Sequence, residues 1–403
     1  MDEKFIPKLR FSGFTKVWES TRIGEIAEVV GGGTPKTEVE EYWNGEIKWF
    51  TPSEIGKTKY LFDSERHITD NGLKNSSAKL LPKYTILLSS RATVGEISIA
   101  LTECSTNQGF QSLITKNNVD NEFIYYLIST IKNEFLRRSS GSTFLEISKN
   151  EIKRIPINIP ELSEQNKISN LFSAIDNKIE MLEKKCQYYQ DFKKYLMQRI
   201  FSSQDDKLRF QDFTDDWVVT TLDKIAIKIG DGLHSTPDYV ENSNYYFING
   251  NNLLEGQIII NDNTKCIPPY EFEKYNNNLN KNTILISING TIGNLAYYND
   301  EKVILGKSAA YIKLNENIEK EYIYNYLKIG KIQHYFSSEL TGTTIKNLSL
   351  KTLKNTPIII PSYNEQKIIA NMFKNIDLKI DLINNRLTNM KNFKKGLLQQ
   401  MFI

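Results

Sequence analysis

At 403 residues, with 40% hydrophobic and 25% charged side chains, the chain has room for two medium domains with separate cores, joined by helical connectors. A net charge of +3 admits an anionic partner without demonstrating one, so any nucleic-acid reading has to rest on local arrangement. No apolar run approaches the roughly 20 residues that span a bilayer, and Met1-Asp2-Glu3-Lys4 lacks a signal-peptide core, so the expected compartment is the cytoplasm. Cys104, Cys186 and Cys266 are too scattered for a disulfide framework or a zinc site.

In chain order, the first landmark is Lys8-Leu9-Arg10-Phe11, followed by Phe14 and by Trp18, which is expected as a core anchor. Ile23 to Ala27 leads to the turn Gly31-Gly32-Gly33-Thr34-Pro35. Thr85-Ile86-Leu87-Leu88-Ser89 reads as a strand ending near Thr93-Val94-Gly95, and Ile97-Ser98-Ile99-Ala100 as another. Glu122 to Leu127 predicts a short helix. Pro156 and Pro160 then forbid helix continuation, and Ser163 is expected to cap a long helix beginning there. Along that helix Ile168, Phe172, Ile175, Ile179, Leu182, Cys186, Tyr189, Leu196 and Ile200 fall on alternating four-and-three spacing, interrupted by Lys193. About 38 residues of helix span roughly 57 Å.

The second half repeats this order about 200 residues later. Lys207-Leu208-Arg209-Phe210, Phe213 and Trp217 open it, with Trp217 again an expected core anchor. Leu222 to Ala226, Gly230-Asp231-Gly232, Thr283 to Ser287, Thr291-Ile292-Gly293 and Glu321 to Tyr324 come next in register. Ile258-Ile259-Ile260 reads as a strand. Pro357 and Pro361 precede Glu365-Gln366, as Pro156 and Pro160 precede Glu164-Gln165, and Asn364 occupies the Ser163 position. Ile369, Phe373, Ile376, Ile380, Ile383, Leu387, Met390, Leu397 and Met401 repeat the stripe, interrupted by Lys394. Such seams cannot stay exposed, so the helices pair within the chain or with another molecule. Residues 36–83 and 238–281 align poorly between halves. The pattern is a shared α+β scaffold carrying different loops, and loops are where binding residues usually sit.

Catalytic motifs fail on chemistry. Gly306-Lys307-Ser308 ends like a phosphate-binding loop, but Glu301 holds the position where the upstream glycine turn is needed. Ile267-Pro268-Pro269-Tyr270 is similar to the motif of DNA amino-methyltransferases, yet Ile267 cannot accept a hydrogen bond from a target amine. His67, His234 and His334 share no metal-ligand spacing. The expectation is a non-catalytic chain that binds no cofactor or metal itself.

The duplicated order of Pro-x-x-x-Pro, Glu-Gln and a long helix carrying Ile175-Asp176 or Ile376-Asp377 resembles the specificity subunit of type I restriction-modification systems. The segment from Trp18 to Gly33 and the turn Ser89-Ser90-Arg91-Ala92-Thr93-Val94-Gly95 are similar to that family's recognition domains. The resemblance implies target recognition domains at residues 1–160 and 203–360. It also implies spacer helices at 161–202 and 361–403, paired as an antiparallel intramolecular coiled coil. It further implies an asymmetric bipartite duplex DNA target, two methyltransferase subunits and restriction-translocase subunits, with S-adenosylmethionine, ATP and magnesium on those partners. The helix faces around Lys178, Glu180, Lys184, Lys185, Lys379, Asp381 and Arg386 are candidate docking surfaces for the methyltransferase.

Expected DNA-facing residues in the first half are Gly33, Thr34, Lys36, Thr51, Ser53, Ser90, Arg91, Thr93, Asn107, Gln108 and Gln111, with Arg138, Ser142 and Thr143 on a later turn for phosphates. Arg91 suits guanine, and Asn107, Gln108 and Gln111 suit adenine. In the second half they are Asp231, His234, Ser235, Asn249, Asn251, Asn252, Asn289, Thr291, Lys307 and Ser308, with Thr343, Thr344 and Lys346 on the matching turn. The second half departs from the family at Ser287-Ile288-Asn289-Gly290-Thr291, which lacks a counterpart to Arg91. A competing reading is a coiled-coil adaptor that binds proteins, which explains the heptads but gives the divergent loops no purpose.

Overall fold

Ile86, Leu87 and Leu88 form a strand buried on both faces. Ile86 and Leu88 face one core with Val29, Ile97, Ile99, Leu113 and Phe123, while Leu87 faces another with Phe50, Leu81 and Phe110. Successive strand residues point to opposite faces, so this run places a sheet between two apolar layers. The computed structural model describes residues 6–141, 145–202, 207–342 and 346–402. It divides into two compact units, Met1–Glu183 with Asn385–Ile403, and Lys184–Asn384.

In the first unit a five-stranded sheet runs Ala27–Gly31, Gln111–Thr115, Ile86–Leu88, Ile97–Ala100 and Tyr60–Leu61. A smaller sheet has Trp43–Phe50 between Arg66–Ile68 and Cys104–Thr106, the latter parallel to it. The predicted short helix spans Asn121–Thr130, and the Asp120 side chain caps it by accepting from the Phe123 N–H at 2.6 Å. Glu19–Arg22 pairs antiparallel with Pro156–Ile159, the strand that leads into the long helix.

The second unit repeats the plan. Its sheets order Ala226–Asp231, Ala309–Leu314, Thr283–Ser287 and Leu295–Tyr297, and Lys265–Cys266, Tyr246–Ile248 and Val303–Leu305. Ile284 and Ile286 face the core shared with the helices, and Leu285 the other layer. The expected strand at Ile258-Ile259-Ile260 is cut short: only Gln257–Ile258 pairs, in a hairpin with Leu253–Leu254. Beyond it, Asn252 takes both backbone groups of Ile259, its carbonyl accepting at 2.7 Å and its amide donating at 2.9 Å.

The long helices are Leu162–Ile200 and Tyr363–Met401. Ser163 lies inside the first, its hydroxyl donating to Glu161, and the Glu161 carbonyl accepts from Glu164 and Gln165 N–H. In the second, Ser362 rather than Asn364 caps, its hydroxyl oxygen 3.4 Å from the Glu365 N–H. The cap therefore sits before the expected position in both helices.

In each unit a segment of one helix packs antiparallel on a segment of the other. In the first, Phe172 lies 5.8 Å from Phe402 between ring centroids, and Asp176 and Glu183 receive Lys394 and Lys391. In the second, Phe201 stacks on Phe373 at 5.9 Å, Lys193 reaches Asp377, and the Cys186 thiol donates to Asn384 at 3.1 Å. Ile168, Phe172, Ile175, Leu182, Cys186, Leu196 and Ile200 are buried, as are Ile369, Phe373, Ile376 and Ile383. Full burial of such side chains stabilises by about 1.5–3 kcal/mol each.

The lysines that break the stripes are thereby explained. Lys394 binds Asp176 at 2.5 Å and Lys193 binds Asp377 at 2.7 Å, so each lysine meets the aspartate of the other helix's Ile-Asp pair. The Glu-Gln pairs have an equally local purpose. Arg10 donates two hydrogen bonds to the fully buried Glu164, at 2.7 and 2.6 Å, and Arg209 donates two to Glu365, both at 2.9 Å. Gln165 and Gln366 each accept from the backbone ahead of a short helix, at Asp120 and Glu319, and donate to Pro160 and Pro361 carbonyls. Trp18 is buried as expected. Trp217, expected as a core anchor, is only half-buried; its indole N–H donates to Glu365 and Lys207 lies over its ring.

Candidate nucleic-acid interface

The four first-half loops converge at one edge of the sheets. The Gly33 N–H donates to the Thr106 carbonyl at 2.8 Å, and the Gly33 carbonyl accepts from the Trp49 indole at 2.9 Å. A Cβ on Gly32 would lie 2.1 Å from the Asn107 carbonyl, so glycine is required for this close approach. The Ser90 N–H donates to the Gly109 carbonyl, and the Asn107 N–H to the Phe50 carbonyl. A cavity of about 280 Å³ opens between the loops, lined by Pro52, Arg91, Ala92, Asn107, Gln108 and Gly109.

Within this cluster Lys36, Ser53, Arg91, Thr93 and Gln108 are exposed, and Thr34 exchanges a hydrogen bond with Gln108. Thr51 closes a local turn by donating to Glu54 from both backbone and hydroxyl. Gln111 is half-buried, opposite Gly31 in the sheet. Two expectations are corrected. The Ser90 side chain is fully buried, so its hydroxyl does not reach the surface. Arg138 is tied to Glu134 at 2.6 Å and Glu151 at 3.4 Å, which spends its charge internally. Hydrogen bonds from Arg137 and Arg138 hold the Glu134 carboxyl below its ordinary range.

The second unit builds the same edge from different side chains. The Gly232 N–H donates to the Ala309 carbonyl, and a Cβ on Gly232 would lie 2.2 Å from the Leu305 carbonyl. The Ser308 hydroxyl accepts from Gly250 N–H and donates to Asn249, both at 2.9 Å. Asn289 donates to the Lys307 carbonyl at 3.1 Å. The sequence fragment that resembled a phosphate-binding loop is thus a tight turn within this cluster. His234 sits 2.7 Å from Asp231 and is exposed with Ser235, Asn251, Thr291, Lys307 and Lys346. Asn252 is a correction: its carbonyl oxygen accepts from Asn249 and its amide donates to Ile259, so it shapes the loop. Ser142, Thr143, Thr343 and Thr344 lie outside the described residues.

Residues that sequence reading missed are Glu146 and Asn347. Each forms an antiparallel bridge to the tip of the reading turn, at Arg91 and Asn289 respectively. The Glu146 carboxylate is 3.9 Å from the Arg91 guanidinium. More than 50 positions separate each pair in the chain, and no local signal links them.

A repeated α+β domain, with one loop cluster at the same edge of each copy and a helix pair packed against each core, defines a duplicated recognition scaffold. The description "Type I restriction modification DNA specificity domain" matches residues 15–187 and 214–392. The chain belongs to this family. It is 31% identical over 366 residues to the type I restriction enzyme MjaIX specificity subunit of Methanocaldococcus jannaschii, covering 86% of this chain and 83% of that protein. The MjaVIII specificity subunit of the same organism is 23% identical over 400 residues, covering 94% and 91%. The crystal structure of a type I restriction-modification S subunit from M. genitalium shares the fold, with TM-score 0.62, 19% identity and 99% coverage of both chains.

Proposed function

We infer that this chain is the DNA-addressing subunit of a type I restriction-modification system, each unit reading one half of an asymmetric, bipartite duplex target. The observation that carries this is the pair of loop clusters: one backbone edge, built twice and closed by the same glycine approaches, furnished with different side chains. Base edges are distinguished by side-chain donors and acceptors, while phosphate contacts fix register. Two unlike clusters on like scaffolds suit two unlike half-sites. In this reading the chain supplies address and no chemistry. Two methyltransferase subunits and the restriction-translocase subunits act on the DNA, with S-adenosylmethionine, ATP and magnesium bound there. The exposed residues of the two loop clusters are the proposed contacts, Lys36, Lys307 and Lys346 serving phosphates.

The test is binding of duplex DNA by the chain with a methyltransferase subunit, across a range of salt. Phosphate contacts release counterions, so log affinity falls linearly with log salt, with a slope of about −0.9 per contact. A protein-binding adaptor shows no such slope. Turnover of DNA by the purified chain alone contradicts the non-catalytic assignment.

A further inference from the structure

We propose that the two clusters differ in hydrogen-bond polarity at the tip of the matching turn, where Arg91 presents donors in the first and Asn289 an acceptor beside a donor in the second. At that position the first therefore selects guanine and the second adenine. This rests on the DNA-reading function proposed for the chain and deepens it.

The assignment comes from which amide ends the backbone already claims. In the first unit the Asn107 side-chain oxygen accepts from the Gly109 N–H at 2.9 Å. A backbone N–H only donates, so the amide is fixed with its oxygen inward and its NH2 group outward. The Gln108 oxygen accepts from the Thr34 hydroxyl, which leaves the Gln108 NH2 facing out as well. Arg91, at the mouth of the same cavity, has donors only. Its neighbour Glu146, 3.9 Å away, orients the guanidinium.

In the second unit the opposite end is claimed. Asn289 donates from its side chain to the Lys307 carbonyl, and a carbonyl only accepts. The Asn289 oxygen is left outward, without a partner among the described residues, beside one remaining amide hydrogen. Asn289 stands where the first unit has Arg91, since each is bridged by the later strand, at Asn347 and Glu146. A guanidinium in one copy is thus replaced by an acceptor-donor amide in the other.

In the major groove guanine shows two acceptors, O6 and N7, and adenine shows the N7 acceptor beside the N6 amine donor. A donor-only face pairs with the first and leaves the adenine amine unmatched. The outward oxygen and spare hydrogen of Asn289 match the second.

The experiment selects from a pool of randomised duplex DNA with the full chain in complex with a methyltransferase subunit, then repeats the selection with Arg91→Lys, Arg91→Gln and Asn289→Ala. The expected result is a guanine in one half-site whose preference falls at least about tenfold in Arg91→Gln and is kept in Arg91→Lys, whose ammonium also only donates, the other half-site being unchanged. Asn289→Ala is expected to cost an adenine preference in the other half-site by a similar factor. If Arg91→Gln retains the guanine preference, Arg91 does not read that base and the proposal fails. Sequence-selective binding in which these variants alter no base preference also overturns it while leaving the DNA-reading function standing. Absence of duplex binding by the folded complex overturns both.

Discussion

Beneath the two sheets, at the junction with the helices, the units solve one packing problem differently. In the first, Lys59 donates to Glu122, Tyr126 and Ser173 at 2.8–3.0 Å, and the Tyr126 hydroxyl donates to Asp176, which also receives Lys394. Burial pulls the Lys59 ammonium below its usual range, and Glu122 opposes that shift. A cavity flanks the lysine-aspartate pair in both units, about 800 Å³ beside Asp176 and Lys394 and about 570 Å³ beside Lys193 and Asp377, but in the second Asn325 stands at the Tyr126 position. The Asn325 side-chain oxygen is buried there with no partner among the described residues. The lysine-aspartate contact between helices is common to both units; its surroundings are not. The scaffold therefore depends on the helix seam and the arginine-glutamate clamps, while the neighbouring layers are free to differ.

The clamps carry the largest expected effects. Glu164→Ala or Glu365→Ala removes a fully buried carboxylate and leaves a half-buried guanidinium without its partner, which costs about 1.5–3 kcal/mol, the scale of a hydrogen bond to a charged group. Hydrogen exchange is expected to localise each loss to the unit carrying the change. Equal loss of protection in both units would break the two-unit description.

A smaller asymmetry is expected at the seam. Asp176→Asn weakens contacts from two partners, Tyr126 and Lys394, where among the described residues Asp377 has one partner, Lys193, which donates to both its oxygens. Hydrogen bonds to charged groups contribute about 1.5–3 kcal/mol. Denaturant unfolding should find the Asp176 variant less stable by roughly 1–2 kcal/mol, on the scale of one such bond. Identical losses would deny that the surroundings matter.

The smallest difference lies at the short helices. Asp120 caps its helix, but Glu319, at the equivalent position, makes no cap and hydrogen-bonds Glu321 instead. That contact, with burial and the nearby Glu321 charge, raises the Glu319 carboxyl to about 7. A carboxyl whose folded pKa exceeds its unfolded value of 4.5 stabilises the fold only while protonated. Stability of the second unit should fall as pH rises from about 4.5 through about 7. Glu319→Asp should restore the cap, add about 1 kcal/mol and flatten that slope. A slope unchanged in the variant would assign it to another group.

The repeat, the seams and the positions of the four loops were legible in the sequence because each rests on local periodicity or on glycine and proline punctuation. Partnerships were not. Arg10 lies far from Glu164 in the chain, as Lys394 does from Asp176, so the sequence displayed the interrupted stripe without its reason. Ser90, Asn252 and Arg138 were expected to face DNA from residue type and loop position, but burial and internal hydrogen bonding decide their roles. The sequence likewise hid which end of Asn107 and Asn289 faces outward, since that depends on a backbone group in a neighbouring loop.

The central claim is that each unit addresses its own half-site. Residues 1–155 can be exchanged for those of another family member, and the methylated motifs of a host carrying the system sequenced before and after. The account predicts a change in one half-site with the other retained. A change in both, or in neither while methylation persists, would contradict it.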